Sequence, residues 1–226
     1  MDEGTGIGLF EAIYTNRALR RFKPDPVPDE AIFQIIDAGI RAPTGSNAQS
    51  WKFLVVRDPE KRRTIAGWYR EAWTRYARQY EENPESVKAL PRQQQLVVRS
   101  AGYLAEHLEE VPVFILVCGP KGPVPGASGA SVYPCVQNML LAARALGLGS
   151  VLTTFHRLHE EDVCRLLNIP DRYETYALLP VGYPEDRHGP VRRRPVREVT
   201  FEETWGRAWP FAQAQPDGGW LDRWVR

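Results

Sequence analysis

Apolar side chains recur at helical spacing along much of the chain. In one segment Ile32, Ile35 and Ile36 lie three or four residues apart, which places them on one face of a helix. Asp29 is expected to cap this helix, and Asp58, which a proline follows, is expected to begin the next one. The same periodicity predicts helices over residues 8–16, 29–40, 60–82, 93–109, 132–146 and 159–167.

Shorter apolar runs have the length and composition of β-strands. The run at 111–119 is apolar throughout, as in a strand that is covered on both faces. Prolines predict a helix break at 83–91, and small residues predict a flexible loop at 120–131. Because helices and strands interleave, we predict one α+β domain with a central sheet sandwiched between helices. The predicted strands are 51–57, 111–119, 147–154 and 173–184.

Composition and charge narrow the class of protein. With 29 basic and 28 acidic residues, the chain gives no electrostatic reason to expect a nucleic acid or a membrane surface as partner. Its longest apolar run, Val113–Cys118, is far shorter than the ~20 residues of a membrane-spanning helix. The three cysteines are isolated, and the four histidines lack metal-ligand spacing. We therefore expect a cytoplasmic protein with reduced thiols and no metal site.

Tryptophan is concentrated near the end of the sequence. Residues 205–226 contain Trp205, Trp209, Trp220 and Trp224, four of the seven tryptophans in the chain. An exposed apolar patch of this kind usually marks an interface, so we expect a C-terminal dimerisation arm at about 205–226. The alternative is that this segment folds back onto its own chain.

Small and amide side chains fill the segment RAPTGSNAQSW, Arg41–Trp51, between a predicted helix and a predicted strand. One interpretation is a helix exit and turn, because Pro, Gly, Asn and Ser punctuate structure wherever they cluster. The other is a binding loop that holds a ligand with backbone N–H groups and side-chain amides. The residues of the segment alone do not decide between the two.

Arginine forms two clusters that are far apart in the sequence. Arg192 and Arg194 alternate, so in an extended segment both side chains point to the same side. A pair of guanidinium groups is well suited to a phosphate, although arginine clusters are equally common on solvated faces. If both arginine clusters bind the same phosphate, the ligand is a phosphorylated cofactor. The clusters are Arg17, Arg20 and Arg21, and Arg192, Arg193 and Arg194.

Four segments in order give the chain a resemblance to a known family. They are TNRALRRF, APTGSNAQSW, NMLLAARALGLGSVLTT and VGYPEDRHGPVRRRPV. Across nearly its whole length the chain resembles the nitroreductase family of FMN-dependent flavoenzymes. The resemblance implies a single FMN-binding domain over 1–226, built as a three-layer sandwich with a mainly antiparallel sheet flanked by helices. It also implies an intertwined homodimer with flavin sites at the subunit interface.

The resemblance assigns expected roles to individual residues. Arg20 would lie beside the ribityl chain and the pyrimidine edge of the flavin, where a cation stabilises the reduced cofactor. The 43–49 loop would reach the flavin from the opposite subunit, and backbone N–H groups of 153–154 would meet its N5 edge. The expected phosphate ligands are Arg17, Arg192 and Arg194. The whole expected site is Arg17, Ala18, Arg20, Pro43, Thr44, Gly45, Asn47, Gln49, Thr153, Thr154, Arg192 and Arg194.

Three positions depart from the family pattern. Asn16 stands where the family often has an arginine, and Ala18 stands where it has a serine. Ser50 replaces the proline that precedes the loop's tryptophan. The lost charge and the lost hydroxyl weaken the expected phosphate contacts, and Arg21 or Arg193 is available to compensate.

The resemblance implies an enzyme that takes a hydride from NADH or NADPH and passes electrons to a nitroaromatic, quinone or activated alkene by a ping-pong mechanism. The chemistry would occur at flavin N5, so no side chain is assigned a catalytic role and no metal is expected. His156 is expected to be a surface or hydrogen-bonded histidine. One alternative is a specialised relative, either a flavin-fragmenting enzyme of cobalamin lower-ligand synthesis or a reductive dehalogenase. Another is a non-catalytic protein that sequesters FMN.

Overall fold

The computed structural model describes residues 7–81, 84–122 and 128–216. Within this part of the chain, no helix is long and apolar enough to cross a membrane. The chain divides into two compact units. The larger unit is Ala18–Arg187, and the smaller unit is Met1–Arg17 together with His188–Arg226.

The described residues contain the four predicted strands, the six predicted helices and two short helices that the sequence did not predict. The strands are β1 (Lys52–Val56), β2 (Val113–Pro120), β3 (Gly149–Ser150) and β4 (Tyr173–Gly182). The helices are α1 (Leu9–Thr15), α2 (Asp29–Gly39), α3 (Pro59–Glu81), α4 (Pro84–Ala89), α5 (Arg92–His107), α6 (Gly129–Ala145), α7 (Glu160–Leu166) and α8 (Pro210–Gln213). Single 3₁₀ turns form at Gly45–Asn47, Leu108–Glu110, Phe155–His159 and Val196–Glu198.

The strands form one antiparallel sheet in the order β1-β2-β4-β3. β2 lies between β1 and β4 and is buried along nearly its whole length, as its uninterrupted apolar sequence predicted. The pairing of β2 with β4 contains a bulge. Val117 pairs with Ala177, but Cys118 pairs with Thr175, so one extra residue of β4 lies between these pairs.

Each face of the sheet is covered by helices. Alternate residues of β2 point to opposite faces, so Ile115 packs with α2 and α6, whereas Phe114 packs with α3, α5 and α7. The helices α2 and α6 lie so close together that a Cβ atom on Gly39 would come within 2.7 Å of Met139 Cγ. The larger unit therefore has three layers, which confirms the predicted α+β sandwich around an antiparallel sheet.

Two helix starts differ in how well the sequence predicted them. Asp58 caps α3 as expected, because its Oδ1 accepts a hydrogen bond of 2.9 Å from the Lys61 N–H. The prediction that Asp29 caps α2 is wrong. Asp29 is the first helical residue, and its carboxylate accepts a hydrogen bond of 2.8 Å from Arg57.

The predicted break at 83–91 contains α4, so a complete break was the wrong expectation. Pro84 is the first residue of this helix, where a proline is tolerated because the missing N–H has no intrahelical acceptor. The predicted loop at 120–131 is shorter than expected, since α6 begins at Gly129. Part of each segment lies outside the described residues.

The smaller unit joins the two ends of the sequence. The N–H groups of Gly189 and Val191 donate to the carbonyl oxygens of Thr15 and Tyr14 over 3.3 and 3.1 Å. Further along, Phe201 pairs with Ala208 in an isolated β-bridge, and α8 follows. Of the predicted arm, Trp205 is 92% exposed and Trp209 is 37% exposed. Trp220 and Trp224 lie outside the described residues.

Candidate functional site

The loop at Thr44–Gln49 has an unusual backbone. Ser46, Asn47 and Gln49 have φ angles of 52°, 51° and 48°, in the left-handed region that disfavours residues with a Cβ atom. Such residues cost of order 1–3 kcal/mol each and cluster at sites that bind ligands. A simple helix exit requires at most one of them.

Hydrogen bonds hold this backbone in place. The Gln49 N–H donates to Thr44 Oγ1 over 3.1 Å, and the Gln49 side-chain amide donates to Asn47 Oδ1 over 3.0 Å. The N–H of Gly45 donates to Ser131 Oγ in α6 over 3.1 Å. The sequence did not indicate a role for Ser131, because this residue lies in a segment predicted to be a flexible loop. Apart from the half-buried Thr44 side chain, the predicted residues Pro43, Gly45, Asn47 and Gln49 are exposed.

The segment Thr153–Thr154 follows β3 and is held by the sheet. The N–H of Thr153 donates to the Leu178 carbonyl over 3.0 Å, and the Leu178 N–H donates back over 2.9 Å. The Thr153 hydroxyl also shares a hydrogen bond of 2.8 Å with the Tyr69 hydroxyl. Thr154 is exposed, and its N–H has no acceptor in the described part of the chain. Of the two predicted N–H donors, only that of Thr154 is therefore open to a ligand.

His156 lies two residues beyond this segment and is fully buried. Its Nε2 lies 2.9 Å from Thr175 Oγ1, and that hydroxyl in turn donates a short hydrogen bond to Glu160. Because the threonine proton goes to the carboxylate, His156 Nε2–H must be the donor to Thr175. Burial lowers the pKa of His156 to about 3, and the charge of Arg157 adds to this shift. His156 is therefore neutral and hydrogen-bonded, one of the two expected outcomes.

The second ring nitrogen of His156 has no such partner. Within the described residues, Nδ1 is buried without a hydrogen bond. A buried unsatisfied acceptor costs about 1–3 kcal/mol, so the surrounding contacts must compensate. One of those contacts is a second bond to Glu160, whose Oε1 accepts the Thr175 N–H over 2.6 Å.

Aromatic side chains of α3 surround Phe155, the residue between Thr154 and His156. The ring of Phe155 lies 5.6 Å from Tyr69, 5.6 Å from Trp73 and 5.4 Å from Tyr76, each in an edge-to-face arrangement. The sequence showed that this stretch of α3 is rich in aromatic residues, but not what they contact. The structure places them against the end of the Thr153–Thr154 segment.

Arg20 and Arg21 extend from the start of the larger unit toward α5. Arg20 Nη1 donates to Ser100 Oγ over 3.3 Å, and the Arg21 guanidinium lies 3.7 Å above the centre of the Tyr103 ring. Burial raises the pKa of Tyr69, and the charge of Arg20 partly opposes that shift. Arg20 is thus close enough to Tyr69 to act on it electrostatically. Tyr69 therefore lies within electrostatic range of Arg20 and is hydrogen-bonded to Thr153.

The remaining predicted arginines lie in the smaller unit. Arg17, Arg192 and Arg194 are exposed, and within the described residues none of the three has a carboxylate partner. The main-chain bonds from Gly189 and Val191 to the end of α1 place the segments that carry Arg17 and Arg192 side by side. Ala18, the first residue of the larger unit, is exposed, and its side chain offers no polar atom.

The described residues contain no group of three or more His, Cys, Asp or Glu side chains that could hold a metal ion. The polar groups of the predicted site are instead N–H donors, hydroxyls, amides and guanidinium groups. Such donors suit an anionic and hydrogen-bonding organic ligand rather than a metal.

Known proteins are similar to this chain in sequence and in fold. An NADH dehydrogenase of Thermus thermophilus is 31% identical over 201 residues, which cover 84% of this chain and 93% of that protein. An iodotyrosine deiodinase of Thermotoga neapolitana is 31% identical over 192 residues, which cover 84% and 95%. A crystal structure of oxidised iodotyrosine deiodinase bound to FMN and 3-iodo-L-tyrosine superposes with a TM-score of 0.63 at 30% identity, covering 82% of this chain and 95% of that one.

The sequence model of the Nitroreductase family matches residues 13–183, which include the antiparallel sheet, the 43–49 loop and the Thr153–Thr154 segment. Since this match spans most of the chain, the protein belongs to the nitroreductase family, as its four sequence segments predicted.

Proposed function

We propose that the protein is an FMN-dependent oxidoreductase that acts as a homodimer. When bound, FMN would supply the redox chemistry, accepting a hydride at N5 from NADH or NADPH and passing electrons to a nitroaromatic, quinone or activated alkene in a ping-pong sequence. The chain's own residues would bind the cofactor, set its charge environment and position the substrates. The family match and the oxidoreductase names of the relatives support this proposal.

The observation that carries the proposal is the Thr44–Gln49 loop. Three left-handed residues are held by internal hydrogen bonds in a loop that is exposed and therefore has no buried packing to explain them. Uncharged donors on a fixed backbone suit the ribityl hydroxyls and ring carbonyls of a flavin. Because the loop is exposed within its own chain, we propose that it binds the cofactor of the opposite subunit.

The charges of the smaller unit suit the phosphate of FMN. Arg17, Arg192 and Arg194 carry guanidinium groups that have no carboxylate partner within the described residues. Unpaired guanidinium groups are available for charge-assisted, bidentate bonds to phosphate oxygens. The loss of an arginine at Asn16 therefore leaves three candidate phosphate ligands.

Within the larger unit, Arg20 and Thr154 would act at the flavin ring. Ser100 anchors the half-buried Arg20, and we propose that this held charge stabilises the negative charge of reduced flavin. The open N–H of Thr154 would donate to the N5 edge. Solvent can supply protons, and we therefore assign no side chain as acid or base.

The test begins with the visible spectrum of the purified full-length protein. Flavin released by heat denaturation is identified by chromatography, and we expect FMN, because the chain lacks a dinucleotide fingerprint. The protein is then mixed anaerobically with NADH or NADPH and given an acceptor from a panel. Bleaching followed by recovery supports the proposal. FAD, no flavin, or bleaching by neither nucleotide contradicts it.

A reductive dehalogenase is the second candidate, because a deiodinase from Thermotoga neapolitana and the FMN-bound deiodinase structure are both similar to this chain. Reduced protein mixed with iodotyrosine distinguishes it, since a dehalogenase releases iodide. The same anaerobic experiment tests two other possibilities. A flavin-fragmenting enzyme would lose its flavin permanently, and a sequestering protein would stay yellow with both nucleotides.

A further inference from the structure

Thr154 is an exposed residue flanked by two anchored residues, Thr153 directly before it and His156 two positions after it. On one side, Thr153 is bonded to Leu178 through both main-chain groups and to Tyr69 through its hydroxyl. On the other side, His156 is fully buried and bonded to Thr175. A backbone N–H that is fixed from both sides cannot follow its ligand. It must therefore already point in the direction in which that ligand binds.

The anchor at His156 is a directed chain of hydrogen bonds. His156 Nε2–H donates to the hydroxyl of Thr175, and that hydroxyl donates to Glu160. Glu160 is the first residue of α7 and also accepts the N–H of Thr175 over 2.6 Å. These hydrogen bonds thus join the 3₁₀ turn after Thr154 to both β4 and α7, and each donor hydrogen makes a single hydrogen bond.

We propose that Tyr69 and Thr175 are positioning residues that fix the Thr154 N–H for its cofactor. This inference rests on the proposed function, because it takes the partner of that N–H to be the N5 edge of FMN. Neither residue would touch the cofactor, since both side chains are buried within the larger unit. Their effect would come from holding a donor in place before the ligand arrives, which avoids a reorganisation cost during binding and reduction.

Matched variants separate this role from a general effect on folding. Tyr69→Phe removes one hydroxyl that bonds to Thr153, and Thr175→Val removes the hydroxyl that links His156 to Glu160. Tyr176→Phe is the control. It also removes a buried tyrosine's hydroxyl, but that hydroxyl bonds to Glu174 over 3.0 Å and makes no direct bond to Thr153 or His156.

The first readout needs no cofactor. Amide hydrogen exchange reports the opening of the Thr153–Leu178 pair in the full-length protein stripped of ligand. We expect the Thr153 amide to exchange about two- to tenfold faster in Tyr69→Phe and Thr175→Val, as the loss of one hydrogen bond allows. The control should leave this rate within about twofold. Equal acceleration in all three variants would reveal a loss of global stability and would overturn the inference.

The second readout uses FMN. We expect both positioning variants to weaken FMN binding, and to slow its single-turnover reduction by NADPH or NADH, by about two- to tenfold relative to Tyr176→Phe. Faster exchange with unchanged binding and reduction would overturn the inference while leaving the proposed function intact. A wild-type protein that binds no FMN would instead contradict the proposed function itself.

Discussion

The Thr44–Gln49 loop and the Thr153–His156 segment present hydrogen-bond donors in opposite ways. The loop is exposed, uses three left-handed residues and holds its shape largely through bonds among its own residues. The segment has buried residues at both ends and exposed Thr154 between them, and it takes its anchors from α3, β4 and α7. One region stores its strain locally, whereas the other is fixed by the core of the larger unit.

This difference matters for how each region can be changed. A locally held loop tolerates substitutions that alter its own backbone, because few other contacts depend on it. A segment held by the core responds to distant residues, because its anchors are far away in the sequence. We therefore expect mutations in the loop to act on binding first, and mutations around the segment to act on binding and stability together.

The largest expected effect concerns the dimer, on which the loop depends if it serves the opposite subunit. Deleting residues 205–226 removes four tryptophans, each able to bury ~150–250 Å². We expect the truncated chain to lose FMN and to become monomeric or to aggregate, as when an obligate dimer has no stable folded monomer. Size exclusion with light scattering and flavin absorbance measures both properties.

The full-length protein is the control for this experiment. A truncated protein that stays dimeric and yellow would show that residues 205–226 are dispensable. A full-length protein that is monomeric and yellow would contradict the shared site, and with it the proposed role of the loop. The segment at Thr153–His156 would be unaffected by either result, which keeps the two regions separable.

The second prediction concerns pH and the buried side of the segment. His156 has a pKa of about 3 when folded and about 6.5 when unfolded, so the unfolded chain binds an additional proton between these values. The free energy of unfolding should therefore fall as pH falls from about 6.5 toward 3, by up to about 4–5 kcal/mol from this group. Denaturant titrations at several pH values measure it.

A variant that lacks this one histidine isolates its contribution. His156→Gln cannot titrate, so its stability should be lower at pH 7 but should fall less steeply with acid than that of the wild type. His107→Gln removes a partly exposed histidine near the end of α5 and serves as the control. If the His156→Gln and wild-type profiles are parallel below pH 6.5, the buried neutral histidine does not govern acid sensitivity.

These predictions rest on structural features, some of which the sequence predicted and some of which it did not. The apolar run at 111–119 predicted a buried central strand, because such a strand has no polar face to alternate with. The composition of the 43–49 loop predicted a turn or a binding loop, because Pro, Gly, Asn and Ser cluster where regular structure ends. In both places the physical constraint acts on neighbouring residues, so a local pattern records it.

The residues that hold Thr154 in place could not be predicted from a local sequence pattern. Tyr69 and Thr175 lie 84 and 19 residues from their partners Thr153 and His156, and no local pattern records such pairs. The bulge between β2 and β4 was equally hidden, although it fixes which side Thr175 faces. The sequence alone also did not distinguish an exposed His156 from a buried one, because burial follows from packing rather than from residue type.

The third prediction compares charged and uncharged contacts to the cofactor. Arg194→Ala should weaken FMN binding by about 1.5–3 kcal/mol, because charge-assisted hydrogen bonds to phosphate are the stronger kind. Gln49→Ala in the loop should weaken it by about 0.5–1.5 kcal/mol, the range of a neutral bond. Dissociation constants from flavin fluorescence measure both, and Arg193→Ala is the matched control. Equal losses of FMN affinity in Arg194→Ala and Arg193→Ala would contradict the assignment of the alternating arginines as the phosphate ligands.

The smallest effect tests whether strain in the loop is stored for binding. Ser46 has a φ of 52° and is exposed, so replacing it with glycine relieves the left-handed strain at little cost in contacts. Relief of about 1–2 kcal/mol is partly offset by the greater entropy of an unfolded glycine, which leaves Ser46→Gly more stable by about 0.5–1 kcal/mol. FMN binding should weaken by a similar amount, because a freer loop must be ordered when the cofactor binds. Ser46→Ala keeps the Cβ atom and should change neither quantity by more than about 0.5 kcal/mol.

Thermal melts of the cofactor-free protein and FMN titrations of both variants measure the two effects. A glycine variant that is less stable than the alanine variant would show that the loop backbone is not strained, and that the contrast with the core-anchored segment is one of exposure alone.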